Sequence, residues 1–162
     1  MKKLSYLLLI VALNTLALTP DAEKGETAIA ACMACHNAEL IPPLAPPFYV
    51  VQTRYQREYD DKTDFIQAIS DWAKTPTLEK ALMKHPIQKL GLMPAMPLPD
   101  EMLSQIGAYI YEQEFEPPCN HWAAVLKNSE STSINQKGQK KRHGNGNNHD
   151  AMVRMKYNQL CK

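Results

Sequence analysis

The apolar positions of this chain recur at helical spacing. Phe65, Ile66, Ile69 and Trp72 share one face of a helix, and Met102, Leu103, Ile106, Tyr109 and Ile110 share one face of another. No stretch alternates convincingly as a strand, so the pattern predicts an all-α fold. Pro20 and Asp21 open a first helix, with Asp21 as N-cap and Glu23 in the first turn, and it continues through Gly25 and Ile29 toward residue 36. Glycine inside a helix costs up to ~1 kcal/mol against alanine, so a close helix crossing at Gly25 would explain its presence. Thr63 caps the next helix, which ends before Pro76; Thr77 then opens a short one through Leu78, Ala81 and Leu82 to about Lys84, stopped by Pro86. The last helix of the body follows Pro99, with Asp100 and Glu101 suited to the positive end of its dipole.

Two proline-rich segments interrupt this helical pattern. Ile41-Pro42-Pro43-Leu44-Ala45-Pro46-Pro47 can be neither regular helix nor sheet, because its prolines remove donors and fix φ; a stiff extended loop is expected. In Gly91-Leu92-Met93-Pro94-Ala95-Met96-Pro97-Leu98-Pro99 the prolines hold the backbone extended around two methionines, leaving a thioether free to reach inward toward a metal.

The ends of the chain differ from its middle. Lys2 and Lys3 precede the apolar run Leu4–Leu13, and Thr15-Leu16-Ala17 offers small residues where a signal peptidase reads, so residues 1–17 are expected to be a signal peptide cleaved after about Ala17. The alternative is a retained anchor, but the apolar run to Leu18 is about 15 residues, short of the ~20 that a spanning helix needs. About 145 residues then remain, enough for a single core. The formal net charge of +1 conceals an asymmetry. Residues 18–116 carry eight Lys or Arg against fifteen Asp or Glu, whereas residues 117–162 carry eight against two. The basic extension could fold back on the acidic body or meet an acidic partner, although a solvated surface is the plain reading. Its Ser129–Asn148 stretch is poor in apolar residues and is expected to be irregular. The run Lys140-Lys141-Arg142-His143 is expected to be solvated, and an exported chain gives no reason to expect a nucleic-acid partner. Cys119 and Cys161 bracket this extension. In an oxidising compartment they could form a disulfide closing a loop of about 43 residues, remain free thiols, or link to another chain.

The chemistry centres on Cys32-Met33-Ala34-Cys35-His36. Two cysteines three apart with a histidine directly after are what covalent haem attachment needs: each thiol adds across a vinyl group, and the histidine becomes the proximal iron ligand. A redox dithiol would follow a buried strand, which is missing here, and a zinc site would need two more close ligands, whereas His85 and Cys119 are distant. A ligating His36 also needs an acceptor for its second ring nitrogen, and a carbonyl at Pro42 or Pro43 could supply it. Trp72 could bond a haem propionate or simply pack in the core.

A first helix with Gly25, a Cys-x-x-Cys-His motif, a proline loop, a Met-Pro segment and a last helix with Ala108-Tyr109-Ile110 together resemble the small soluble monohaem cytochromes c of class I. The resemblance covers roughly Pro20 to Phe115. It implies three to five helices around one covalently bound haem c, with the first and last helices crossing near Gly25 and Tyr109 and an irregular tail beyond. It further implies Cys32 and Cys35 as attachment points, His36 as proximal ligand and Met93, seven residues before Asp100, as distal ligand, with Met96 as the alternative and Met83 and His85 as weaker rivals. The implied activity is one-electron transfer in the periplasm between redox partner proteins there or at the inner membrane, with no enzymatic step and no small-molecule substrate. A haem enzyme or small-ligand sensor with a labile sixth ligand is one alternative. Another is a cytochrome c subunit of a larger oxidoreductase, docked through its tail. The long proline loop and the tail depart from the family pattern.

Overall fold

The computed structural model describes residues 17–135 and 146–162. The expected signal peptide up to residue 16 and the run Lys140-Lys141-Arg142-His143 lie outside the described residues. Every regular element that is described is helical: α1 Pro20–Ala28, α2 Ala30–His36, α3 Phe48–Gln56, α4 Lys62–Lys74, α5 Lys84–Leu90, α6 Asp100–Glu112, α7 Cys119–Asn135 and α8 Gly146–Leu160. None of these helices is long and apolar enough to cross a membrane.

Several helix ends differ from those expected. Thr19, not Asp21, caps α1: its backbone is extended and its side chain accepts from the Ala22 N–H. Pro20 has no N–H to satisfy and its φ suits the first helical position, which puts the cap before it and leaves Asp21 and Glu23 in the first turn. The helix also stops at Ala28, and a new one starts after Ile29. Asp61, not Thr63, caps α4, its Oδ1 accepting from Thr63 N at 2.7 Å and Asp64 N at 3.2 Å. Residues 78–80 form only a turn, and the helix in this region runs instead from Lys84 to Leu90. Pro86 is tolerated there because it lies in the first turn, where a backbone N–H would have no intrahelical acceptor.

The core forms where α1 and α4 pack on α6. A Cβ at Gly25 would sit 2.0 Å from the carbonyl oxygen of Gln105 and 2.8 Å from Tyr109 Cβ, so α1 meets α6 backbone to backbone. Ile29, Phe48, Val51, Tyr55, Phe65, Ile69, Ile106 and Ile110 form one buried cluster, with Phe65 fully enclosed. Its edge contacts with Tyr55 and Tyr111 bring α3, α4 and α6 together. One polar knot ties the two ends of the body. Glu112 accepts from the backbone N–H and hydroxyl of Thr19, both at 2.7 Å, and from the Lys62 ammonium.

Among the described residues, the C-terminal extension is helical rather than the irregular tail expected. Helices α7 and α8 enter the Ser129–Asn148 stretch from its two sides. They pack through buried Trp122, Leu126 and Val153, with Tyr157 and Cys161 beside them, and a Cys119–Cys161 disulfide joins their outer ends, Cα atoms 5.7 Å apart. Trp122 and Leu126 are spaced i,i+4, as are Val153 and Tyr157. That periodicity lies on either side of the polar stretch, so the composition of the stretch itself carries no sign of it.

Candidate functional site

Helix α2 is short and has no fully buried residue, but its last turn places Cys32, Cys35 and His36 at i, i+3 and i+4, on one side. Both thiols are free; Cys32 is half-buried and Cys35 exposed. Burial, and then the neighbouring Cys35, pushes the Cys32 thiol above its ordinary pKa. At His36 the helix ends and Asn37 turns extended.

The imidazole is fixed by the chain that follows. Its Nδ1 lies 2.6 Å from the carbonyl oxygen of Pro46, and its ring stacks on Phe48 with centroids 4.8 Å apart and planes 20° from parallel. A carbonyl can only accept, so this bond puts the proton on Nδ1 and leaves the Nε2 lone pair available. Burial lowers the pKa of His36, outweighing the opposing effect of the Pro46 bond, and so favours the neutral ring that a metal ligand requires. The acceptor is thus Pro46 rather than Pro42 or Pro43. Residue 46 lies at the end of the loop, just before α3, where the chain has returned to the His36 ring; Ile41–Pro42, in its middle, is a cis bond.

A partly open cavity of about 240 Å³ lies against these residues. Cys32, Cys35 and His36 contribute to its lining from α2, and its other walls are mainly apolar, with Val51 and Tyr55 from α3, Ile69 and Trp72 from α4, and Ile106 and Ile110 from α6. Met93 and Met96 line the same cavity from the proline-framed segment, both half-buried. Gly91, at φ +86°, ends α5 and turns the chain into that segment. Met96 is the more firmly placed at the backbone, because its N–H donates to Ala73 O at the end of α4 and its carbonyl accepts from Leu98 N. Met83 also lines the cavity, whereas His85 is not among its lining residues.

The fold therefore gathers Cys32, Cys35, His36, Met93 and Met96 around one cavity and keeps the Cys119–Cys161 pair apart in the C-terminal hairpin. The sequence reading missed Pro46 and the ring of Phe48. Its available signal was the spacing of Phe48, Val51 and Tyr55, which are the buried residues of α3. The donor set suits haem: two thiols, a neutral imidazole with Nε2 available and two thioethers against apolar walls. Among the described residues, no group of three or more His, Cys, Asp or Glu is gathered to hold a bare metal ion. No protein-family model, curated protein or solved structure matches the chain.

Proposed function

We propose that this protein is an exported monohaem c-type cytochrome that carries single electrons between redox proteins of the periplasm or inner membrane. The observation that carries the reading is the convergence of Cys32, Cys35, His36 and Met93 on one apolar cavity, with His36 held through Nδ1. The backbone crossing of α1 and α6 at Gly25 and the enclosure by α3 and α4 support a cytochrome c-like arrangement. Bound in the cavity, haem would supply an iron that changes its oxidation state by one electron.

The chain's own residues do the rest. The Cys32 and Cys35 thiols would hold the haem covalently, each by adding S and H across one vinyl group, an addition that would need no oxidant. His36 presents Nε2, and its Nδ1–H to Pro46 strengthens it as a donor and fixes the ring orientation. The Met93 thioether, which lines the same cavity, would serve as the second iron ligand, a soft donor that would favour the reduced state and leave no position for substrate. The mainly apolar walls offer water few hydrogen-bond partners. Leu44, Leu90 and Leu92 line the cavity yet remain exposed, so a partner protein can approach closely there.

Mass spectrometry of the protein purified after export should show one covalently bound haem and loss of residues 1–17. The oxidised protein should show the near-infrared charge-transfer band expected of methionine–iron ligation. Met93→Ala should abolish that band and Met96→Ala should retain it; the reverse outcome assigns the ligand to Met96. A high-spin ferric spectrum, or rapid carbon monoxide binding by the ferrous protein, would sink the carrier reading in favour of a haem enzyme or sensor.

A further inference from the structure

The loop between His36 and α3 is gripped near both ends by the C-terminal extension. Directly after His36, Glu39 and Leu40 close a tight turn on Asn37, and Asn120 Nδ2 of α7 donates to Glu39 Oε2 at 3.0 Å. At the far end Pro46 accepts the bond from His36 Nδ1. Phe48, which stacks on the imidazole, also stacks on Phe115 in the link to α7, with centroids 5.6 Å apart. Tyr49, the next residue, meets the indole of Trp122 edge-on at 5.7 Å. Trp122 is only 4% exposed and belongs to the cluster with Leu126 and Val153 that joins α7 to α8. The disulfided Cys119 lies between Phe115 and Trp122 in the chain, so the hairpin is closed at the point where it meets the body.

We propose that the disulfide-closed hairpin of α7 and α8 braces the proximal side of the site. Trp122 acts through Tyr49 and Phe48, and Asn120 acts through Glu39, to keep the 37–47 loop where the Pro46 carbonyl holds His36 Nδ1. The prolines stiffen the loop but do not anchor it, and a segment with few buried contacts opens at low free energy unless its ends are held. Aromatic contacts of this kind stabilise beyond the area that they bury, enough to matter to a local opening. Trp122 is therefore a positioning residue. Calling His36 a ligand rests on the proposed function, but the brace itself consists of contacts between protein groups.

Amide hydrogen exchange and nitrogen NMR of the full-length protein test this. Leu40, Val50 and Val51 each donate a backbone bond inside the braced region, to Asn37 for the first and to Pro47 for the other two. In Trp122→Ala these amides should exchange faster by about tenfold, and the His36 Nδ1–H proton should exchange faster with solvent as its bond to the Pro46 carbonyl opens. Leu103, bonded to Pro99 at the start of α6, should be unchanged, and Trp122→Phe should restore the native pattern. Acceleration confined to α7 and α8, acceleration spread evenly over α1, α4 and α6, or unaltered exchange of the His36 Nδ1–H would overturn the brace. If Trp122→Ala does not fold, Asn120→Ala, at an exposed position, carries the test: faster Leu40 exchange supports the proposal and unchanged exchange overturns it. A chain found to carry no covalent haem would end the functional reading yet leave the exchange pattern as the measure of the brace.

Discussion

Helices α1 and α6 meet at Gly25 with backbone against backbone, continuous with a core of aromatic and aliphatic side chains. Helices α7 and α8 meet around three buried residues and are tied by a disulfide. The first pair is held by close packing, where nothing can be added. The second has a core too small to hold two helices firmly on its own, so a covalent link that limits the unfolded chain takes a larger share. Packing of the first kind fixes positions to fractions of an ångström and suits the enclosure of a site. A stapled hairpin can be appended to such a body with few contacts, chiefly at Tyr49 and Glu39.

Gly25→Ala should separate the two regimes most sharply. The added Cβ would meet the Gln105 backbone at 2.0 Å, and no flexible side chain is available to give way. A loss of about 3 kcal/mol, the top of the usual range for overpacking, is expected in denaturant unfolding of the whole body. A change below about 0.5 kcal/mol would mean that the crossing has slack and that the contrast fails.

Replacing Cys119 and Cys161 together by serine should cost about 2 kcal/mol, at the low end of the range for removal of a native disulfide. The loss should be local, since α7 and α8 can separate while α1, α4 and α6 stay folded. Helix content by circular dichroism and exchange resolved by segment would check it, and cooperative loss of the whole molecule would show that the hairpin and body are one folding unit.

The smallest of these effects concerns the polar knot of the body. Burial raises the pKa of Glu112, but the bonds from Lys62 and Thr19 outweigh it and hold the carboxyl below its ordinary range. A carboxylate with a lowered folded-state pKa contributes stability that is present in full above its unfolded value and is lost as pH falls through the folded one. Glu112→Gln should therefore cost about 1 kcal/mol at neutral pH and make stability less steep on acidification through the carboxylate range. Titrated thermal melts of both proteins, in which the two curves converge at low pH, are the expected result.

Helices α4 and α6 were legible because each shows one apolar face over more than three turns, and that pattern survives any local error at the ends. The caps were each misplaced by two residues because Thr19 and Asp61 compete with equally suitable neighbours, and only the path of the incoming backbone decides which side chain reaches the open N–H groups. Helix α3 went unassigned beside a proline loop. Its buried face becomes evident once Phe48, Val51 and Tyr55 have a cluster to face.

The Cys32-x-x-Cys35-His36 grouping is a local matter: residues three and four apart share one side of any helical turn, so chain order alone brings the thiols and the imidazole together. The prolines likewise dictated, without help from the fold, that residues 41–47 would be neither helix nor sheet and that residues 91–99 would run extended rather than helical. Which carbonyl holds His36, which methionines line the cavity with it, and what lies behind Phe48 are long-range facts. They depend on where α3 and the 91–99 segment come to rest, and that is decided when apolar surfaces far apart in the chain find the arrangement that buries them together.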